Sequence, residues 1–233
     1  MQLRSISSTS YSTYETCPYS FKLKYILKLL IPDNEAFEVG KALHTALEQY
    51  YTTPHPTIID NLKKKFLTLP IDNKKIDNFS TVKKMFELYC KYPLGGVTKN
   101  LEYEFRISLP RINCTLHGYM DRVTTDGEVI DYKTTNRDYA TKDANSLQAE
   151  IYSYAIKDLG SKSGKVVFYV INKNKIKKKD YIPQVITVEP DTSKLVDKLA
   201  VFYKNVIDNK YEPIKGSHCN WCLFRENCKH YKK

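Results

Sequence analysis

The chain has 233 residues, with 37 Lys and Arg against 26 Asp and Glu, a formal net charge of +11. Hydrophobic residues at 42% and charged residues at 27% are globular proportions, which exclude a disordered chain and provide for one well-buried domain. The longest apolar runs, such as Ile26 to Ile31, are too short to cross a bilayer, and the N-terminus has no apolar leader, so the expected location is intracellular, in the cytoplasm, without a membrane partner. The charge favours a polyanion such as nucleic acid. However, 31 of the 37 basic residues are Lys, so a Lys-rich composition explains the charge equally well.

In chain order, residues 7–30 read as a helix that starts at a Ser/Thr cluster and ends before Pro32. Val39, Leu43, Ala46, Leu47 and Tyr50 predict a helix over 34–51, stopped by Thr52-Thr53-Pro54. Two more helices are expected near 57–67 and 78–91. Leu101, Tyr103, Phe105 and Ile107 then alternate with Glu102, Glu104, Arg106 and Ser108, the pattern of a half-buried strand. Strands at 112–124 and 128–134 flank Thr125-Asp126-Gly127, a hairpin signal. A helix at 143–159, strands at 165–172 and 181–188, a helix at 191–208 and a cysteine-rich tail complete the chain. This order predicts an α/β (α+β) domain around a central mixed sheet, with a helical part at 1–99, a sheet core at 100–210 and a tail at 211–233. No phosphate-binding G-x-x-x-x-G-K-[ST] is present. Seven lysines and no acid lie between Lys162 and Lys179, which reads equally as a solvated hairpin or as a phosphate-contacting loop.

The hairpin carries the first chemical signal. Asp131 and Lys133 alternate with Ile130 and Tyr132 and so share one face, and Asp121 on the neighbouring strand can reach that face. Paired carboxylates suit Mg²⁺ or Mn²⁺, and a lysine beside them can orient water or stabilise a charged phosphoryl transition state. A cross-strand salt bridge is the plain structural alternative. His44, next to the core-facing Leu43, could add a nitrogen ligand, and Gln148 and Tyr152, four apart on one helix, could brace the site or touch DNA. Glu102 or Glu104, on the polar face of the preceding strand, could add a carboxylate.

Taken in order, Gly40 to His44, Gly118 to Asp121, Asp131-Tyr132-Lys133 and Gln148 to Tyr152 resemble the PD-(D/E)XK phosphodiesterases, and more closely the RecB-like nucleases. The resemblance implies a restriction-endonuclease-like core and a metal held by His44, Asp121, Asp131 and the Tyr132 carbonyl. It makes Lys133 catalytic and Gln148 and Tyr152 its supporting Q-x-x-x-Y pair.

The tail gives the second signal. Cys219, Cys222 and Cys228 form C-x₂-C-x₅-C, and a fourth ligand could come from Cys17, Cys90, Cys114, His218 or His230. Cys114 lies among apolar strand neighbours and Cys90 ends a helix, so both read as packing, whereas Cys17 before Pro18 marks an interruption that could expose a thiolate. Spacing alone leaves zinc and iron–sulfur open, with zinc the commoner occupant. A lone N-terminal Cys-Pro combined with this tail resembles the iron–sulfur branch of the RecB-like nucleases, which includes AddB-type subunits and the CRISPR-associated exonucleases. That resemblance implies a 4Fe–4S cluster on Cys17, Cys219, Cys222 and Cys228. It would staple a loop of about 200 residues, whose closure costs roughly 4–5 kcal/mol. The expected activity is a metal-dependent DNA exonuclease on single-stranded ends, in CRISPR adaptation with integration proteins, or in recombination and repair. The competing expectation is a non-catalytic single-stranded-DNA-binding or adaptor module with a structural zinc or iron–sulfur site, stacking bases on its aromatics.

Overall fold

The computed structural model describes residues 3–30, 35–67 and 73–231. The chain divides into two compact units: Met1–Asp33, Glu104–Gly118 and Asp191–Lys233 form the first, and Asn34–Tyr103 with Tyr119–Pro190 the second. Two strands, β2 (Thr98–Leu109) and β3 (Cys114–Thr124), contribute to both.

In the first unit a short strand, β1 (Ser5–Ile6), runs parallel to β3, with Ser5 opposite Thr115 and Ile6 opposite Leu116. Two residues are too few for a periodic signal, which is why the sequence pattern misses this strand. Ser7 caps the next helix, α1 (Ser8–Thr16), through a reciprocal Ser7–Ser10 capping box. The single helix expected over 7–30 is broken. Cys17 is extended at φ −163°, ψ 106°, because the ring of Pro18 crowds a helical residue before it. Pro18 then opens α2 (Pro18–Phe21), which runs into a π-helical turn at Lys22–Ile26. The apolar centre is aromatic. Tyr14, Phe21 and Phe202 of the C-terminal helix meet pairwise at ring separations of 5.1–5.6 Å, and Tyr14 donates to the Lys210 carbonyl at 2.6 Å. Gly118 belongs here: a Cβ on it would lie 2.8 Å from the Phe105 ring, so the β2–β3 contact excludes a side chain.

The second unit holds α3 (Glu35–Gln49), α4 (His55–Phe66) and α5 (Asn73–Lys91), followed later by β4 (Val129–Thr135), α6 (Thr141–Ala144), α7 (Leu147–Asp158), β5 (Val166–Asn172) and β6 (Gln184–Val188). The remaining helix, α8 (Leu195–Ile207), belongs to the first unit. β3 and β4 pair antiparallel, β4 and β5 parallel, and β5 and β6 antiparallel, which makes a mixed sheet. Gly127 adopts φ +77° in the β3–β4 turn, the left-handed conformation that Asp-Gly announces. Ile130, Tyr132, Val167, Tyr169 and Ile171 pack against the buried stripes of α3, α4 and α5. The opposite face, carrying Asp131, Lys133 and Phe168, receives α7. The expected helix at 143–159 is two helices, since Asn145 and Ser146 leave the helical conformation and Ser146 caps α7. No helix among the described residues is long and apolar enough to cross a membrane.

Candidate active site

Two clusters stand side by side in the second unit, and Asp121 touches the strand that joins them. The β3–β4 ladder ends at Arg122 opposite Ile130. One step further on, Asp121 Oδ2 accepts the backbone N–H of Tyr132 at 2.7 Å, so the side chain replaces a ladder bond and satisfies a buried donor. Asp121 Oδ1 faces the other way and lies 3.3 Å from His44 Nδ1.

His44 rides on α3, whose Leu43 and Leu47 are buried, and its imidazole sits at the border of that stripe. Glu102 completes the first cluster. One ligand atom from each of His44, Glu102 and Asp121 lies within 4.8 Å of the others. Octahedral ligands at about 2.1 Å are about 3.0–4.2 Å apart, so a hard cation would need only a small closure of this triad. Among the described residues this is the one group of three such side chains that meets so closely. The electrostatics point the same way. Burial pushes the Glu102 carboxyl up to about 7, with repulsion from Asp121 adding to it and His44 opposing. Burial disfavours the charged His44, yet its hydrogen bond to Asp121 and the charges of Asp121, Asp131 and Glu102 outweigh that and raise it to about 9. The triad gathers protons because it is short of positive charge, and the donor set of two carboxylates and an imidazole fits Mg²⁺ or Mn²⁺.

Glu102 reaches the site through its backbone. It adopts φ +43°, the left-handed region, in the middle of β2, a conformation that costs a non-glycine residue about 1–2 kcal/mol. From Glu104 onward β2 alternates exposed and buried side chains regularly. Glu104 is thereby turned to solvent, where it pairs with Arg106. Of the two glutamates considered in this strand, one belongs to the cluster and the other does not.

The second cluster is a closed network. Lys133 Nζ lies 2.8 Å from Asp131 Oδ2 and donates to Gln148 Oε1 at 2.7 Å. Gln148 Nε2 donates to Asp131 Oδ1 at 3.1 Å and to the Tyr152 hydroxyl at 2.9 Å, and Tyr152 donates to Asp131 Oδ1 at 3.2 Å. Gln148 and Tyr152 thus hold the carboxylate and the ammonium at once. Burial pushes the Asp131 carboxyl up, with the Lys133 charge opposing and Asp121 adding to the rise. Burial also works against the Lys133 charge, but Asp131 more than offsets it and holds the ammonium protonated. The close approach of Lys133 lacks hydrogen-bond alignment, so Asp131 Oδ2 is a buried oxygen without an aligned donor. Such an atom keeps lone-pair capacity that a cation could use.

Arg122, next to Asp121, was not singled out by its sequence context. It is fully buried, and it donates to Thr98 Oγ1 at 2.9 Å, Leu94 O at 3.3 Å and Gly95 O at 2.9 Å, to Gly96 O as well, and stacks 4.7 Å over the Tyr51 ring. It fastens the loop that leads into β2 and hence to Glu102. The hydroxyls of Tyr51, Tyr89 and Tyr132 form a hydrogen-bonded group beneath β4. Only a fully buried Arg amid aromatics, which no local pattern announces, could have signalled this anchor.

Five of the six cysteines lie in the first unit, Cys90 lies in the second, and none forms a disulfide. Cys17 is buried, so the helix break does not expose the thiolate that the sequence allowed. Cys219, Cys222 and Cys228 are half-buried on a run of three-residue turns: Cys222 N–H donates to Cys219 O, Arg225 to Cys222 O, Cys228 to Arg225 O and Tyr231 to Cys228 O. The Tyr19 ring meets His230 edge-on at 4.8 Å, which brings the Cys17-Pro18-Tyr19 and Cys228-Lys229-His230 segments together. Cys114 is buried in β3, and Cys90 is half-buried in α5.

The chain resembles a proposed exonuclease from Eubacterium rectale at 14% sequence identity and a TM-score of 0.60, over 97% of this chain and 88% of that one. It also overlaps a protein designated SSO0001 at 15% identity and a TM-score of 0.47, over 98% and 88% of the two chains, a likeness below the level that identifies a shared fold. No curated protein matches. A family model for the PD-(D/E)XK nuclease superfamily matches residues 5–229, nearly the whole chain and every side chain of both clusters, and the chain belongs to that superfamily.

Proposed function

We propose that this metal-dependent nuclease hydrolyses DNA from the free ends of single strands, with His44, Glu102 and Asp121 holding the divalent ion and Lys133 acting on the scissile phosphate. The observation that carries this reading is the bridge at Asp121, one oxygen on the Tyr132 N–H and the other beside His44, which places a cation triad next to the Asp131–Lys133 pair. When bound, Mg²⁺ or Mn²⁺ supplies charge neutralisation at the phosphate and acidifies an attacking water.

The chain's own residues do the rest. His44 ligates as the neutral imidazole and Glu102 as the carboxylate, each giving up the proton it holds in the metal-free protein. The aligned-donor-free Oδ2 of Asp131 and the Tyr132 carbonyl extend the donor set. Lys133 stays charged through Asp131, and Gln148 aims its ammonium, so the positive charge stands fixed where negative charge grows on the phosphoryl oxygens. Tyr152 keeps the Asp131 carboxylate from rotating away.

In the same reading, Cys17, Cys219, Cys222 and Cys228 hold a 4Fe–4S cluster that braces the first unit. The Tyr19–His230 contact and the turn-by-turn spacing of the tail cysteines support it. The setting is inside the cell, in CRISPR adaptation alongside integration proteins or in recombination and repair. End-directed cutting is supported by the description of the Eubacterium rectale protein as an exonuclease. The test uses end-labelled linear and circular single strands with Mn²⁺. Linear DNA should be degraded, circular DNA spared, and Asp131→Ala inactive. Equal cutting of circles overturns the end-directed part, and an active Asp131→Ala overturns the site.

A further inference from the structure

The lysine-rich run from Lys162 to Lys179 is divided by the fold into two groups at opposite ends of β5. Lys162 and Lys165 precede the strand, where Lys165 lies 4.0 Å from Glu128 and 3.9 Å from Glu189. Lys173, Lys175, Lys177, Lys178 and Lys179 follow it. A strand of seven residues separates the groups by about 23 Å. β4 and β5 are parallel, with Lys133 opposite Val170 and Thr135 opposite Asn172. The second group therefore emerges at the end of the sheet that carries Lys133, with Lys173 about 10 Å further along than Val170.

This loop is fastened to the chain leaving the active site. Lys173 N–H donates to Thr135 O at 2.8 Å, and Asn174 Nδ2 donates to Asn136 O at 2.7 Å. Asp138 accepts from Asn172 Nδ2 at 2.9 Å and pairs with Lys175, while the Tyr181 hydroxyl accepts the Asn172 N–H at 2.6 Å. Lys177, Lys178 and Lys179 are exposed, and among the described residues Lys173, Lys177, Lys178 and Lys179 make no close ion pair, although the charge of Lys178 reaches Asp138 and helps to lower its carboxyl. A loop held this firmly, presenting unpaired ammoniums beside a phosphate-cleaving site, suits a polyanion whose counterions those charges can replace.

We propose that the loop from Lys173 to Lys179 is a phosphate-binding wall that grips the backbone of the DNA strand a few nucleotides from the bond being cut. The proposal rests on the nuclease reading of the neighbouring site, and it assigns the loop to strand holding, with no part in the chemistry.

The experiment compares Lys177→Ala/Lys178→Ala with Lys162→Ala/Lys165→Ala, which remove the same charge at opposite ends of β5. Binding of a fluorescent single-stranded oligonucleotide is measured in EDTA across a salt series. Hydrolysis of thymidine 5′-(4-nitrophenyl phosphate), too small to reach the loop, is measured in Mn²⁺. Removing two phosphate contacts should weaken oligonucleotide binding about tenfold at fixed ionic strength and reduce the salt slope by about 1.4. The Lys162/Lys165 variant should bind as the unaltered protein does, and both should hydrolyse the small diester at the unaltered rate. Equal weakening in both variants, or none in either, overturns the proposal, as does loss of small-diester hydrolysis in the Lys177/Lys178 variant. If the unaltered protein fails to cleave either substrate, the nuclease reading falls while the binding comparison still decides the loop.

Discussion

Asp121 Oδ2 accepts the Tyr132 backbone N–H at 2.7 Å, so one carboxylate is both a rung between two strands and a wall of the cation triad. The two roles can be separated by substitution. Asp121→Asn keeps an acceptor for the Tyr132 N–H but removes the charge, so the fold should hold while calorimetric Mn²⁺ affinity falls by about a hundredfold. Asp121→Ala removes both and should also lower stability by about 1–3 kcal/mol, through the orphaned N–H. Undiminished Mn²⁺ binding by Asp121→Asn would remove this residue from the metal site.

The triad also sets a pH dependence. Both Glu102, raised to about 7, and His44, raised to about 9, bind protons more tightly in the folded chain than in the unfolded one. Raised values favour the fold at low pH, and that stabilisation is lost as pH rises through them. The metal-free protein should therefore lose thermal stability from about pH 4.5 to pH 9, through Glu102 up to about 7 and through His44 from about 6.5 to 9, and Mn²⁺ should restore it. Mn²⁺ affinity should climb over the same interval, with protons released on binding. Melting curves in EDTA and in Mn²⁺ provide the check; a metal-free curve flat across this range contradicts the assignment.

Lys133 and Gln148 should differ in kind. Lys133→Ala should lower kcat about a thousandfold, as loss of a transition-state donor does. Gln148→Leu leaves the ammonium in place but unaimed and should cost about 10–100-fold. Because Gln148 acts through Lys133, it should add little to Lys133→Ala in the double variant; additive losses would show that Gln148 works independently.

Among the cysteines, Cys17→Ser should lose iron, the visible colour and thermal stability together, although Cys17 is remote in sequence from the tail. Cys90→Ser and Cys114→Ala should keep the iron content. Iron analysis of the anaerobically purified proteins decides this, and stoichiometric zinc in colourless protein would replace the cluster with a zinc site.

Arg122→Met should destabilise by about 1–3 kcal/mol, since it removes the charged hydrogen bonds by which a fully buried guanidinium holds the carbonyls of residues 94–96. Denaturant unfolding measures it, and a neutral result would show that the loop into β2 holds without its anchor.

Much of the site is legible in the sequence, for a local reason. Strand alternation puts Asp131 and Lys133 on one face, helical spacing pairs Gln148 with Tyr152, and His44 follows directly on a buried Leu. What stays hidden depends on backbone conformation or distant packing. Alternation treats Glu102 and Glu104 alike, and only a left-handed residue separates them. Arg122 reads as one more strand cation until the loop at residues 94–96 folds over it. The strand expected at 165–172 already parts the seven lysines into two groups, but the bonds from Lys173 and Asn174 to Thr135 and Asn136 that fasten the second group join distant segments and leave no local signal.

The left-handed backbone at Glu102 sets stability against activity at a single position. Glycine takes that conformation freely, so Glu102→Gly should relieve about 1 kcal/mol of strain and thin the crowd of carboxylates. The resulting protein should be sturdier without metal and poorer at binding it. Selection for thermal endurance alone would tend to erase this carboxylate, whereas in the proposed role of Glu102 as a metal ligand selection for cutting DNA would keep it.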